Sequence, residues 1–178
     1  MVRLYLVRHA IAGERSTARY PDDALRPLTP HGERKFRRAA RGIGMLVGEV
    51  DCLLASPLLR AKQTAAILHQ LAGMPKPVEQ PALAPGHTSA QVLAALRDHT
   101  AKTLVVVGHE PMLGRLLTVC TAGANAKVSV RFRKGAVACV SFASAPRVAQ
   151  GTLEWLLQPK VLRKLGRASP SGHTHPRQ

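Results

Sequence analysis

Three short apolar runs, each stopped by a polar residue or a glycine, constrain this chain more than any other feature. They are Leu4-Tyr5-Leu6-Val7, Asp51-Cys52-Leu53-Leu54-Ala55 and Thr103-Leu104-Val105-Val106-Val107. Short runs without apolar/polar alternation read as strands covered on both faces, the mark of a mainly parallel sheet. Residues 136–142 and 151–156 read as two later strands.

Between the runs lie stretches with helical spacing. Thr29-Pro30 opens one that continues to about Val47, with Thr29 as N-cap and Pro30 at the first helical position. Ser56-Pro57 repeats that start signal and predicts a helix to about Leu71, and further helices are expected from about Ser89 to Asp98 and from Met112 to Thr121. Strand-helix alternation of this kind predicts a three-layer α/β sandwich, a mainly parallel central sheet flanked by helices.

A chain of 178 residues fits one domain, expected over residues 1–165, with 166–178 as a disordered basic tail. His173 and His175 in that tail are too loosely held to predict a metal site. Aromatic residues make up only 3%, so the core must be built from Ala, Val and Leu. Lys and Arg number 26 against 10 acids, a formal charge of +16 that attracts anions. The cations concentrate in Arg34-Lys35-Phe36-Arg37-Arg38-Ala39-Ala40-Arg41 and in Lys160-Val161-Leu162-Arg163-Lys164-Leu165-Gly166-Arg167, read first as solvated helix faces and second as a docking surface. Cys52, Cys120 and Cys139 are odd in number, widely spaced and set among apolar residues, as expected of buried thiols in a reducing compartment. No signal peptide or membrane span is expected, and the location expected is cytoplasmic.

Three strand ends carry unusual polar residues: Arg8-His9, then Ser56-Pro57 with Arg60, then Gly108-His109-Glu110. In an open parallel sheet, ligands bind beyond the carboxyl ends of the strands, so these residues are expected to share one pocket. Arginine forks match phosphoryl oxygens and stay charged. A neutral imidazole can attack phosphorus and form a covalent intermediate. Arg60, read as the fourth residue of the helix opened by Pro57, can lean toward that helix's N-terminus, where an anion is favoured.

Leu6-Val7-Arg8-His9-Ala10, Arg26-Pro27-Leu28-Thr29-Pro30-His31-Gly32, Ala55-Ser56-Pro57-Leu58-Leu59-Arg60-Ala61-Lys62-Gln63-Thr64-Ala65 and Val107-Gly108-His109-Glu110-Pro111, taken in order, resemble the histidine phosphatase superfamily. The Arg-Pro-Leu-Thr stretch and the ending Leu153-Glu154-Trp155-Leu156-Leu157-Gln158-Pro159 resemble its SixA-type phosphohistidine phosphatases. The resemblance implies a phosphoglycerate mutase-like fold and a metal-independent phosphatase. It implies His9 as the nucleophile that becomes phosphorylated, with Arg8, Arg60 and His109 around the phosphate and Arg26 as a further contact. It implies no metal and no organic cofactor.

Two departures bear on the substrate. Ala10 stands where the signature has glycine, which is tolerable if the backbone there does not need positive φ. Pro81-Ala82-Leu83-Ala84-Pro85-Gly86-His87 lacks the glutamate acid of mutase-like relatives, leaving His87 or Glu110 as possible acids. An alcohol leaving group needs a proton, worth about 10²–10⁴-fold in rate, whereas a protonated phosphohistidine releases a neutral imidazole. About thirty residues separate the Arg60 helix from the next main strand, too few for a crossover and a large lid. The expected substrate is therefore protein phosphohistidine in a phosphorelay or phosphotransfer system, with small phosphate esters or nucleotides as the alternative. A nucleic-acid-binding module with an idle site is the remoter alternative, since aromatic-rich runs for stacking bases are lacking.

Overall fold

The computed structural model describes residues 1–168. Strand β1 (Val2–Arg8) leads into helix α1 (Pro30–Leu46), and β2 (Cys52–Ala55) leads into α2 (Leu59–Ala72). After β3 (Val78–Glu79) come α3 (Ser89–Arg97), β4 (Thr103–Gly108), α4 (Met112–Ala122), β5 (Val137–Phe142), β6 (Thr152–Leu157) and α5 (Pro159–Ala168). Short 3-10 turns occupy Asp23–Leu25 and Pro81–Leu83.

The strands form one sheet in the order β3-β2-β4-β1-β5-β6. β1 to β4 are mutually parallel, and β5 is antiparallel to both β1 and β6. Tyr5, Val7, Leu53, Val105 and Val137 face a core shared with α1, α2 and α5. Leu4, Leu6, Leu54, Val106 and Val140 face the opposite core, under α3 and α4. The sandwich therefore has the three layers expected, with both faces of the sheet covered.

α1 starts as its sequence predicts, with Pro30 first and the Thr29 side chain accepting a hydrogen bond from the Gly32 N–H at 2.9 Å. Its buried Phe36, Ala39, Ala40 and Ile43 recur at helical spacing and form the inner stripe. α2 starts later than expected. Its N-cap is Leu58, no side chain caps it, and Arg60 is its second residue.

Two edges of the reading shift. β3 was not expected, being two exposed residues on the sheet edge. α5 continues past the domain boundary expected at residue 165, and residues 169–178, with His173 and His175, lie outside the described residues. Cys120 and Cys139 are buried and Cys52 is half-buried, and none is in a disulfide. Burial pushes the Cys120 thiol up to about 12, so it stays protonated and inert. No described helix is long and apolar enough to cross a membrane.

Candidate active site

Register places the two histidines. Arg8 and Gly108 are partners across the parallel pair β1 and β4, so His9 and His109 leave adjacent strands at the same level. The His9 N–H donates to the Gly108 carbonyl at 3.0 Å, and the ring centroids lie 5.0 Å apart with planes at 53°. Ala55 is the register partner of Val107, and the Ser56 N–H donates to the Val107 carbonyl at 3.0 Å. Ser56 thereby reaches His109, whose Nε2 lies 2.8 Å from its Oγ.

His9 is 6% exposed, and its Nδ1–H donates to the Ala10 carbonyl at 2.7 Å. That bond fixes the tautomer and leaves the lone pair on Nε2. Burial, then His109, Arg60 and Arg8, lower its pKa from 6.5 to about 3, against the opposing pull of the Ala10 carbonyl. The Ala10 N–H in turn donates to Thr64 Oγ1 at 3.1 Å, and the Thr64 hydroxyl donates to the Arg60 carbonyl at 2.6 Å. The loop after β1 is thus tied to α2. Ala149 is the one non-glycine residue with positive φ among the described residues, so alanine at position 10 carries no backbone strain.

His109 is 5% exposed, and burial followed by the Arg60 charge lowers its pKa to about 4. Ser56 Oγ accepts from the Leu58 N–H at 3.4 Å, so its own proton is free for His109 Nε2. In the tautomer in which the Ser56 hydroxyl donates to Nε2, the His109 proton sits on Nδ1, which is buried and has no partner among the described residues.

Arg60 is 3% exposed and held by a single residue. Its Nη1 donates to the Asp23 carbonyl at 2.8 Å, and its Nη2 lies 3.0 Å from Asp23 Oδ2. Arg26, also buried, spends Nε on Asp23 Oδ1 at 2.8 Å and Nη1 on the Gly13 carbonyl at 2.7 Å. Asp23 also faces Arg15 at 3.6 Å. Its hydrogen bond with Arg26 first, then the Arg60 charge, hold its carboxyl below the usual carboxylate range against burial. Arg8 is half-buried and donates from Nη1 to the Phe132 carbonyl at 2.5 Å.

Four buried side-chain polar atoms lack a partner among the described residues: Arg8 Nε, Arg60 Nε, His109 Nδ1 and Ser89 Oγ. Three of the four are donors on the candidate residues. Buried donors are normally satisfied, so three together mark a place that expects acceptor oxygens. With Arg8, Arg26 and Arg60 against Asp23 and Glu110, the local charge also favours an anion.

No motif in the sequence singles out Asp23. The acid pair Asp22-Asp23 just before Arg26, in a chain with only 10 acids, was the signal available. Ser56 was read as a helix start, and its hydroxyl serves His109 instead. Lys134 was also missed: its pKa is lowered by burial and then by Arg8, Arg26 and Arg60. Of the two possible acids, Glu110 and His87 both line a cleft of about 160 Å³ that includes His109, Met112 and Arg115. Glu110 Oε1 accepts from the Gly114 N–H at 3.2 Å, in the first turn of α4, and His87 Nδ1 lies 3.2 Å from the Ala84 carbonyl. Burial raises the Glu110 pKa, with Arg8 and the Gly114 N–H opposing.

The family model of the histidine phosphatase superfamily (branch 1) matches residues 4–84. An uncharacterized protein of Picosynechococcus sp. is 40% identical over 116 residues, covering 64% of this chain and 69% of that protein. The phosphohistidine phosphatase SixA of Escherichia coli is 28% identical over 163 residues, covering 89% of this chain and 94% of that protein. A solved structure of the protein histidine phosphatase SixA complexed with tungstate superposes with a TM-score of 0.77 at 26% identity, covering 90% of this chain and 99% of that one. With the paired strand-end histidines and this cradle of unpartnered donors, these matches establish that the chain belongs to the histidine phosphatase superfamily and is a phosphatase similar to SixA.

Proposed function

We propose that the chain is a metal-independent phosphatase that works through a phosphohistidine on His9 and removes phosphoryl groups from histidine side chains of other proteins. The observation that carries the chemistry is the set of three unpartnered buried donors, Arg8 Nε, Arg60 Nε and His109 Nδ1, beside a neutral imidazole with Nε2 free. These donors and the two guanidinium charges take the phosphoryl oxygens and stabilise the charge that builds in the transition state. His9 Nε2 forms the new bond to phosphorus as the bond to the leaving nitrogen breaks. That nitrogen departs as imidazole after taking a proton. Water then attacks the phosphohistidine, releasing inorganic phosphate and restoring His9.

The substrate class is supported by the absence of a strong acid at the position where mutase-like relatives carry one, and by the similarity to SixA. The 30 residues between α2 and β4 hold only β3, a 3-10 turn and α3, which leaves no room for a lid domain over the strand ends. An open site admits a side chain projecting from another protein.

The test is to incubate the purified chain with phosphorylated phosphotransfer domains and phosphocarrier proteins and follow loss of acid-labile phosphate. Rapid loss, faster than from aryl and alkyl phosphates, is expected. A second reading, small phosphate esters, draws on the cleft of about 160 Å³ beside His109, which can hold a small leaving group. Faster turnover of such esters than of every phosphoprotein would establish it.

A further inference from the structure

The two basic clusters of the sequence converge in the fold. Arg34, Arg37, Arg38 and Arg41 on α1 are spaced i, i+3, i+4, i+7, and so are Lys160, Arg163, Lys164 and Arg167 on α5. Such spacing makes a stripe along one side of each helix. The two helices pack backbone to backbone: a Cβ added at Gly42 would overlap the Leu162 carbonyl, and one at Gly166 the Arg38 carbonyl. The stripes therefore lie on neighbouring helices separated by a narrow seam.

One end of this seam reaches the active site. Gly135 donates its N–H to the carbonyls of Arg8 and His9, at 3.1 and 3.2 Å. At φ +84° it lies under Phe36 of α1 and Pro159 of α5. The exit of β1 and the two basic helices thus meet at one point. Lys35, Lys134 and Arg163 line a cleft there together with Ala10, Ile11 and Gly32. Three cations therefore converge beside the residue that follows the nucleophile.

No acid answers them. α1 carries only Glu33, which faces Arg37 at 3.8 Å, and α5 carries none. Among the described residues, no carboxylate lies within ion-pair distance of Lys35, Lys134 or Arg163. Like charges gathered at a functional mouth, with no internal partner, steer and orient an external anion. The cleft itself is about 20 Å³, room for roughly one water, so it cannot enclose a small ligand. Its cations serve a contact made across the surface. Phe36, the aromatic residue of α1, is buried, so this face offers no ring for stacking bases.

Resting on the phosphohistidine reading above, we propose that Lys35, Lys134 and Arg163 form a docking shelf for an acidic face of the phosphorylated partner protein. Its carboxylates meet these cations while its phosphoimidazole enters between Arg8, Arg60 and His109.

The test measures kcat/KM of the full chain for a phosphohistidine phosphotransfer domain with an acidic surface and for an aryl phosphate, from 25 to 300 mM NaCl. The K35E/R163E variant is expected to lower the ratio of phosphoprotein to aryl phosphate kcat/KM at least tenfold at low salt, through KM, and to flatten its salt dependence. The milder K35Q/R163Q variant should give a smaller loss in the same ratio and serves if the charge reversal fails to fold. R97E/K102E, with the same charge change at the amino ends of the strands, should leave the ratio unchanged. Equal losses on both substrates, or an equal loss in R97E/K102E, would overturn the docking shelf. Wild-type enzyme that cleaves the aryl phosphate but no phosphohistidine protein would overturn the substrate reading and the shelf with it.

Discussion

Ser56 Oγ lies 2.8 Å from His109 Nε2, joining the end of β2 to the end of β4 across 53 residues of sequence. The hydroxyl directs the His109 proton to Nδ1, toward the acceptor it lacks in the protein. S56A removes that constraint and opens the other tautomer. We expect kcat/KM to fall about tenfold, roughly 1.4 kcal/mol, with the fold intact by circular dichroism. Unchanged kinetics would show that Ser56 does not set the tautomer.

His9 is buried just past the end of β1, where its ring bonds the Ala10 carbonyl and faces the His109 ring, and it is not a member of either apolar core. H9A is expected to fold and to lose turnover. Wild-type enzyme quenched early in the reaction should carry an acid-labile, base-stable phosphate on His9. Mass spectrometry that places the phosphate on another residue would move the nucleophile.

Asp23 is the common partner of Arg15, Arg26 and Arg60. D23A removes the carboxylate from Arg60 Nη2, leaving Nη1 on the backbone carbonyl of residue 23, and leaves three guanidinium groups to repel one another. We expect vanadate inhibition to weaken about tenfold, and R60A to weaken it further, since a charge-assisted hydrogen bond contributes about 1.5–3 kcal/mol. Phosphate competition, measured in the same assay, should follow the same order.

His9 and His109 have pKa values lowered to about 3 and about 4 in the fold, against 6.5 for a free histidine. Between about pH 6.5 and 4 the unfolded chain therefore binds protons at these positions that the folded chain refuses. Stability is full above 6.5 and declines as pH falls toward 4, by at most about 1.4 kcal/mol per pH unit for each histidine. Imidazole resonances of both residues should not titrate between pH 8 and 5. H9Q/H109Q should lose less stability than wild type between pH 7 and 5 in urea melts.

How much of this was legible in the sequence depends on how local each cause is. Thr29 caps α1 through a bond to a residue three positions on, so its role could be read directly. The strand ends carrying His9 and His109 were legible because buried runs stop abruptly there. Ser56 misled because its hydroxyl answers a residue on another strand and α2 then begins uncapped at Leu59. Asp23 and Arg60 meet across 37 residues, a pairing that no local pattern encodes. The antiparallel direction of β5 was likewise hidden, since an apolar run looks the same in either direction. β3 has two exposed residues and owes its existence to pairing with Leu54 and Ala55.

The proton that the leaving group takes sets which phosphate esters this site can cleave. Glu110 and His87 both line the cleft that reaches His109, and burial raises the Glu110 pKa, the direction a general acid needs. The Glu110 carboxylate nevertheless accepts a hydrogen bond from the Gly114 N–H in the first turn of α4, which favours its ionised form and uses it as a helix cap. His87 is exposed, with Nδ1 beside the Ala84 carbonyl. Neither stands where mutase-like relatives carry their glutamate, so we expect no strong acid at the leaving atom. The rate on monoesters should then depend steeply on leaving-group pKa, aryl phosphates outpacing alkyl ones and phosphohistidine outpacing both. E110Q and H87A should slow good and poor leaving groups alike, by less than about threefold, since the proton transfer worth about 10²–10⁴-fold is not theirs to lose. The deciding measurement is kcat/KM over a graded series of aryl and alkyl phosphates for wild type and both variants. A shallow series in wild type that turns steep in E110Q would identify Glu110 as the acid and extend the substrate range to ordinary esters.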